Sequence, residues 1–331
     1  MKYSILGVVA GLLAFVGGCQ VGQRVEFVRG DKKIDVMIGG RHFTSYRYGG
    51  EHYKLVKGAN KSDHGYLAKP VLFPVHTPSG IVVSRGYPLA EVESEEKDHP
   101  HHAGIFFTCD EVNGNKFWEN TTSSPQVKHI KVTGMKGGAG KGKLSTVMHW
   151  IGKSGKTLLE EERKMVFSAG ENENVVDFDI SLTAQDEKVV FGDTKEGMFA
   201  IRVADWLREE GGSGRYLSSN GDEMEENVWG KRARWVCLQG EKDGKTIGIA
   251  IANHPRSVNY PTYWHSRRYG LFSANPLGQY DFERKRNQGR AKPLNFTLGP
   301  GETAHFGFRM VVYEGTRSKE ELEERFRSYA E

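Results

Sequence analysis

The sequence predicts an all-β protein, mainly a large antiparallel β-sandwich, finished by a C-terminal helix. Three observations carry this. Short runs rich in β-branched and aromatic residues recur along the chain, among them "KLSTVMHWI", "TLLEEERKMVF", "NVVDFDISLTA", "RARWVCLQG", "KTIGIAIANH" and "AHFGFRMVVY". Several alternate apolar with polar, as Val176, Phe178, Ile180 and Leu182 do against Asp177, Asp179 and Ser181; a period of two means one buried face. Clusters such as "AGENEN" and "EKDGK" separate the runs at hairpin distances.

The helix is "SKEELEERFRSYAE", read as helical from about Lys319 to Ser328, where Ser318 and Glu321 form a capping box ahead of Leu322, Phe326 and Tyr329 at helical spacing. No composition break or internal repeat divides the chain, so residues 19–331 are expected to form one sandwich domain, with antiparallel strands through residues 70–313.

The N-terminus reads as an export signal over residues 1–18: a basic start, an apolar run from Ile5 to Val16, then Gly17, Gly18 and Cys19. The run is shorter than the roughly 20 residues a spanning helix needs. "FVGGC" resembles the bacterial lipobox, which makes Cys19 the expected lipidation site. The expectation is a lipoprotein of the cell envelope, in the periplasm or on the outer membrane, touching the bilayer through its lipid alone. Cys109 and Cys237 lie in strand-like stretches where buried free thiols are common, and an exported protein also has the means to pair them. A formal net charge of +4 on 331 residues, with no long basic block, argues against a nucleic-acid partner.

Two glycine-rich stretches imitate phosphate loops. "GGAGKGKL" places Leu144 where a hydroxyl must reach magnesium, and "GKSGKT" lacks the first glycine at the required spacing. Both read as hairpin turns.

The chemistry-bearing residues concentrate in three places. "KDHPHHAGIFF" puts His99, His101 and His102, a quarter of the chain's 12 histidines, behind Asp98. Pro100 excludes a central strand position, so a strand entrance or loop is expected. His99 and His101 have an acceptable metal-ligand spacing with Asp98 as orienter, but Ile105 and Phe106 stand where a cupin glutamate belongs. Neither a resident metal nor another cofactor is expected; an acid–base or ligand-binding role stands beside the plain alternative of histidines packed at a strand entrance. The second concentration, Asn253 to Pro276, holds His254, Trp264, His265, Arg267, Arg268 and Tyr269 among three prolines. A loop this long is usually functional. Aromatic faces beside charged forks suit a sugar, whose C–H patches and hydroxyls they match; the plain alternative is a loop folded over the sandwich edge. The third, "GDTKEGMFAIRV", places Glu196 and Arg202 on one face of an extended chain, with Glu196 the candidate acid or base and a surface ion pair the alternative.

The segments "KPVLFPVHTPSG", "DHPHHAGIFF", "DEVNGNKFW", "TKEGMFAIRV", "VWGKRARWV", "YPTYWHSRRYGLFSANP" and "LGPGET" resemble, in order, the bacterial PmoA-like family, secreted proteins of unknown function. The likeness runs from about Lys69 to Tyr313 and is carried by distinctive motifs. It implies a supersandwich like that of galactose mutarotase, and a setting among sugar-processing genes. In mutarotase-like sites histidines and a glutamate exchange protons with a sugar in an open sheet groove. The chain departs from the usual "HPHHRG" at Ala103, a position that bears on specificity if the usual arginine touches ligand. The family's name refers to methane oxygenase, but the integral membrane subunit of that name has several spanning helices, and this chain has none after its signal.

The leading expectation is therefore a carbohydrate-active hydrolase, lyase or epimerase. His99, His101, Glu196 and His265 would be catalytic. His102, Trp118, Arg202, His254, Trp264, Arg267, Arg268 and Tyr269 would hold the sugar, with residues 263–269 forming the rim of the groove. The competing readings are a glycan-binding lipoprotein without turnover and, third, a metal-dependent oxidase of the kind the family name suggests.

Overall fold

The computed structural model describes residues 22–49, 67–120, 125–286 and 290–331. The export segment and Cys19 lie outside them.

Within these residues the alternating runs pair antiparallel into two large sheets. One has nine strands, in the order β18 (Tyr263–Trp264), β19 (Leu271–Asn275), β14 (Gly197–Arg202), β5 (Ile105–Cys109), β4 (Val71–Leu72), β3 (Arg41–Arg47), β2 (Lys33–Ile38), β1 (Arg24–Gly30) and β9 (Gly138–Ala139). The other has eight: β15 (Arg215–Ser218), β16 (Trp235–Lys242), β17 (Lys245–Asn253), β21 (Thr303–Glu314), β12 (Glu173–Ala184), β11 (Thr157–Gly170), β10 (Lys141–Ile151) and β8 (Gln126–Lys136). Two small ribbons, β6 (Glu111–Val112) with β7 (Asn115–Lys116) and β13 (Val189–Val190) with β20 (Thr297–Leu298), complete the strands.

The sheets meet face to face over an aromatic core. Phe199 stacks on Phe308 with ring centroids 4.7 Å apart and meets Phe178 edge-on at 4.8 Å, while Phe107 reaches Phe306 at 5.7 Å. Phe178, Ile180 and Leu182 all point into this core, as their alternation requires. A charged pair shares it: Glu161 and Arg163, on the inward face of β11, are buried together, and Trp150 Nε1 donates to Glu161. Paired and hydrogen-bonded, they avoid the penalty of an isolated buried charge.

Helix α3 (Lys319–Ala330) begins on the expected box: Glu321 N donates to Ser318 Oγ and Ser318 N to the Glu321 carboxylate. Leu322 and Phe326 pack on the outside of the eight-stranded sheet over Trp235, Cys237 and Val311. Two shorter helices, α1 (Met224–Val228) and α2 (Gln279–Arg286), have no counterpart in the sequence reading, because α2 buries only Phe282 and shows no apolar periodicity. The false phosphate loops are turns: Gly140, at φ +75°, joins β9 to β10, and Gly152 to Lys156 joins β10 to β11. Both remaining cysteines are free and buried, Cys109 between the sheets and Cys237 beneath α3. Among the described residues no helix is long and apolar enough to cross a membrane.

Candidate functional site

Four strands at one end of the nine-stranded sheet send alternate side chains to opposite faces. Phe107, Phe199, Phe272 and Trp264 enter the core. Their neighbours Phe106, Ala200 and Ser273 lie in one cross-strand row on the outer face, extended by His265, whose N–H donates to Ser273 O. Two of the four side chains are small, so the sheet is low in the middle of the row.

The segment before β5 folds over this row. Arg85, buried, donates to the carbonyls of Asp98 (2.9 Å) and His99 (3.2 Å), and its guanidinium also grips the Asp98 carboxylate. Arg202 Nη2 reaches the same carboxylate at 2.8 Å. Burial opposes ionisation of Asp98, but His99 and the two guanidiniums together hold it well below the usual carboxylate range. Clamped this way, His99 takes φ +40°, a left-handed conformation that a non-glycine residue adopts only under constraint. Gly104, at φ +54°, has no such choice, since a Cβ there would lie 2.3 Å from Leu72 O.

The three histidines are packed against one another. His99 Nδ1 lies 2.8 Å from Asp98, and its ring lies parallel to those of His102 and Tyr269, each 5.0 Å away, while these two are 6.5 Å from each other. His101 Nδ1 lies 3.0 Å from the Glu119 carboxylate, off the line of an ideal hydrogen bond. His102 is 1% exposed, and neither ring nitrogen has a hydrogen-bond partner among the described residues. Burial, then His101, Arg202 and His99, pushes it well below ordinary histidine, so it is neutral. Burial also lowers His101, against the pull of Glu119. Beneath them Lys69 is fully enclosed; it donates to Trp118 O at 2.7 Å, and burial pulls it down to about 7.

Across the row stands a second group. Trp229 Nε1 donates to His265 Nδ1 at 3.0 Å, so neutral His265 carries its proton on Nε2, which faces the Glu196 carboxylate at 3.8 Å. Burial, then Lys195, Arg267, Lys285 and His99, keeps His265 well below its ordinary value. Lys195 contacts Glu196 directly. The two groups share one patch: Tyr269, 5.0 Å from His99, lies under Arg267, which also lies over Trp229, the donor to His265. Glu196, Lys195, His99 and Arg267 are each partly open to solvent, with side-chain exposures of 26%, 28%, 42% and 33%.

Of the residues singled out in the sequence, His99, His101, His102, Trp118, Glu196, Arg202, His265, Arg267 and Tyr269 come together here. Arg267 lies over Tyr269 at 5.5 Å and Trp229 at 6.0 Å, and Trp118 packs on His102 at 5.5 Å. Arg202 serves Asp98 and the Tyr269 face (4.7 Å) rather than Glu196.

Three residues are elsewhere. Trp264 is fully buried in the inter-sheet core and donates to Ala233 O, because β18 alternation sends it inward between Tyr263 and His265. His254 follows β17 on the other sheet, against Tyr329 and beside Asp179. Arg268 turns outward onto Glu225, leaving its neighbour Arg267 to line the site. Sequence reasoning missed Trp229, Lys195, Glu119 and Lys285. Glu119 follows Trp118 and Lys195 precedes Glu196, so adjacency was an available signal; for Trp229 and Lys285 there was none.

A cavity of about 550 Å³ opens on the outer face of the eight-stranded sheet, among Asp177, Asp179, His254, His305 and Tyr329. Size alone does not make it the reactive site; His254 and Tyr329 there are perturbed too, but His102, buried with both ring nitrogens unpartnered, is on the other sheet. Among the described residues no three His, Cys, Asp or Glu side chains converge as a metal cage requires. The patch is suited to taking, holding and returning protons: two histidines backed by carboxylates face a glutamate backed by a lysine and a neutral histidine.

No curated protein matches the chain. Among solved structures it is similar to an alpha-galactosidase from Lactobacillus brevis, at 8% identity and TM-score 0.40, covering 94% of this chain and 40% of that one. It is similar also to a galactose 1-epimerase from Lactobacillus acidophilus NCFM, at 8% identity and TM-score 0.40, covering 89% and 100%. For a galactose mutarotase-like protein from Clostridium acetobutylicum the values are 10% and 0.36, covering 90% and 99%. The chain thus spans two fifths of the galactosidase's length. Residues 33–327 match the family model DUF6807, described as a family of unknown function, and the chain belongs to that family.

Proposed function

We propose that the chain binds a carbohydrate on the outer face of the nine-stranded sheet and acts on it by proton transfer. Glu196 is the proton acceptor. Lys195 and the Nε2–H of His265 orient its carboxylate, and His99, with Asp98 behind Nδ1, takes and returns a proton at Nε2 from the opposite side. Tyr269 and Trp229 offer aromatic faces to the sugar ring, and Arg267 its hydrogen bonds. Hydrolysis, elimination and epimerisation all need such a pair of groups.

One observation carries this reading: Glu196, His265, His99 and His101 arrive from separate segments at one partly exposed patch. Clustering titratable groups, several of them buried, costs free energy that a purely structural role would not require. On the same footing the activity belongs at the cell envelope, with Cys19 lipidated; Cys19→Ser should release the protein into the soluble fraction, and unchanged membrane association would count against it.

The test of function is a screen of mono- and oligosaccharides by saturation-transfer NMR, with turnover of each binder followed by proton NMR. Glu196→Gln should lower turnover by about a hundredfold or more while binding survives, the usual worth of a positioned acid or base. Binding with no turnover in the native protein would reduce it to a glycan-binding lipoprotein.

A further inference from the structure

Positive charge collects on one side of the site more densely than its acids require. Lys285, on the last turn of α2, stands over the Trp229 ring with Nζ 5.6 Å from its centroid, and the Arg267 guanidinium lies 6.0 Å from the same ring. Lys195 is the third cation, in contact with Glu196. Arg267 shares Glu225 with Arg268, and Arg284 takes Asp281. Lys285 has no ion-pair partner among the described residues. Two of the charges act on the third: Lys195 is held below ordinary lysine by burial first, then by Lys285 and, less strongly, Arg267, against the opposing pull of Asp281 and Asp110. Like charges this close repel, and a folded chain keeps such an arrangement without benefit to its own stability.

An anion between the three would relieve that repulsion, and the aromatic ring beneath two of them is a surface for the apolar edge of a sugar. We propose that the ligand is an acidic saccharide, whose carboxylate sits between Lys195, Arg267 and Lys285 beside Trp229. This assignment rests on the carbohydrate reading above and narrows it to sugars of the uronic-acid class. A carboxylate in that place would lie beside Glu196, and its neutralisation by three cations would acidify the adjacent ring C–H, the bond a general base in this position addresses.

The experiment is calorimetric titration at low salt with di- and trisaccharides of galacturonic and glucuronic acid, set against the neutral galactose and glucose counterparts. Lys285 is exposed and unpaired, so Lys285→Ala should fold with an unchanged melting temperature. The acidic saccharides should bind at least tenfold tighter than the neutral ones. Lys285→Ala should remove about a tenfold share of that advantage, as loss of one charge-assisted contact does, and added salt should weaken acidic but not neutral binding. Equal or tighter binding of neutral sugars, unaffected by Lys285→Ala, would overturn the acidic-ligand inference and leave the carbohydrate reading standing. Binding of neither set would overturn the inference and remove the support for a saccharide as well. An unchanged affinity for uronates in Lys285→Ala would sink the subsite while keeping the ligand class.

Discussion

The two outer sheet faces carry similar residues in very different states. On the eight-stranded sheet, Arg309 holds Asp177 through two hydrogen bonds (2.6 and 2.8 Å) and stacks on Tyr329, His305 meets Ser181 at 3.0 Å, and His254 Nδ1 accepts from Arg256 N. Every one of these groups has a local partner. On the nine-stranded sheet, His102 lacks partners at both nitrogens, Trp118 at Nε1, and Arg202 at Nε and Nη1, among the described residues. His99 is backbone-strained, and two cations, Arg267 and Lys285, share one indole. Residue type does not separate the faces, and neither does cavity size. The degree of satisfaction does: beyond the Tyr313 hydroxyl under α3, the unpaired polar atoms named here, and the unpaired charge of Lys285, gather on the nine-stranded sheet and mark a surface kept for something outside the chain.

The difference can be broken at its anchor. Arg85→Ala should destabilise the fold by about 3–5 kcal/mol, the cost of leaving the Asp98 clamp short of a buried partner, read as a large drop in melting temperature. A loss under about 1 kcal/mol would mean that Arg202 alone holds the segment.

A sharper test spares the fold. Trp229→Phe keeps an aromatic face but removes the N–H that assigns the His265 tautomer. Turnover of the screened saccharide should fall by about tenfold or more with little change in binding or melting temperature. Unaltered turnover would show that the tautomer does not matter.

The pH dependence follows from the same clamp. The folded pKa of Asp98 is depressed, so its contribution is fully present above the unfolded value of about 4 and is lost as pH falls below that. His101, His102 and His265 are lowered bases, whose contribution is lost earlier, from about pH 6.5 downward. Asp98→Asn should be less stable at pH 7 and show a flatter fall below pH 4 in urea unfolding, with the higher-pH limb retained. An unchanged acid limb would remove Asp98 from the account.

The smallest effect belongs to the satisfied face. Asp177→Asn, losing a partly exposed pair, should cost about 1 kcal/mol or less and leave turnover untouched. A loss of turnover there would erase the distinction between the faces.

Much of this was legible beforehand, for identifiable reasons. A period of two fixes which side of a strand is buried, so alternation alone directs Val176, Phe178, Ile180 and Leu182 inward. Capping chemistry is local, so Ser318 and Glu321 located the start of α3. Histidines bunched behind an aspartate, and a glutamate beside small and apolar residues, were visible as chemistry without a function. Periodicity was silent where one face swallowed charge, as at Glu161 and Arg163, and where a helix buried a single Phe282.

What the amino-acid order determined by itself, then, was the sandwich, the terminal helix and the list of chemically able residues, because these depend on spacing within one segment. Only tertiary structure decided which of them meet. Trp264 and His265 are neighbours in the chain, yet strand alternation sends one to the core and the other to Glu196. His254 and His265 share one loop-rich stretch, yet they stand on different sheets. Trp229 and Lys285 joined the site where α2 packs its Phe282 and Lys285 against Trp229, across more than 50 residues of chain. Pairings between distant segments are set by the summed packing of two whole sheets, and no local pattern of residues encodes that sum.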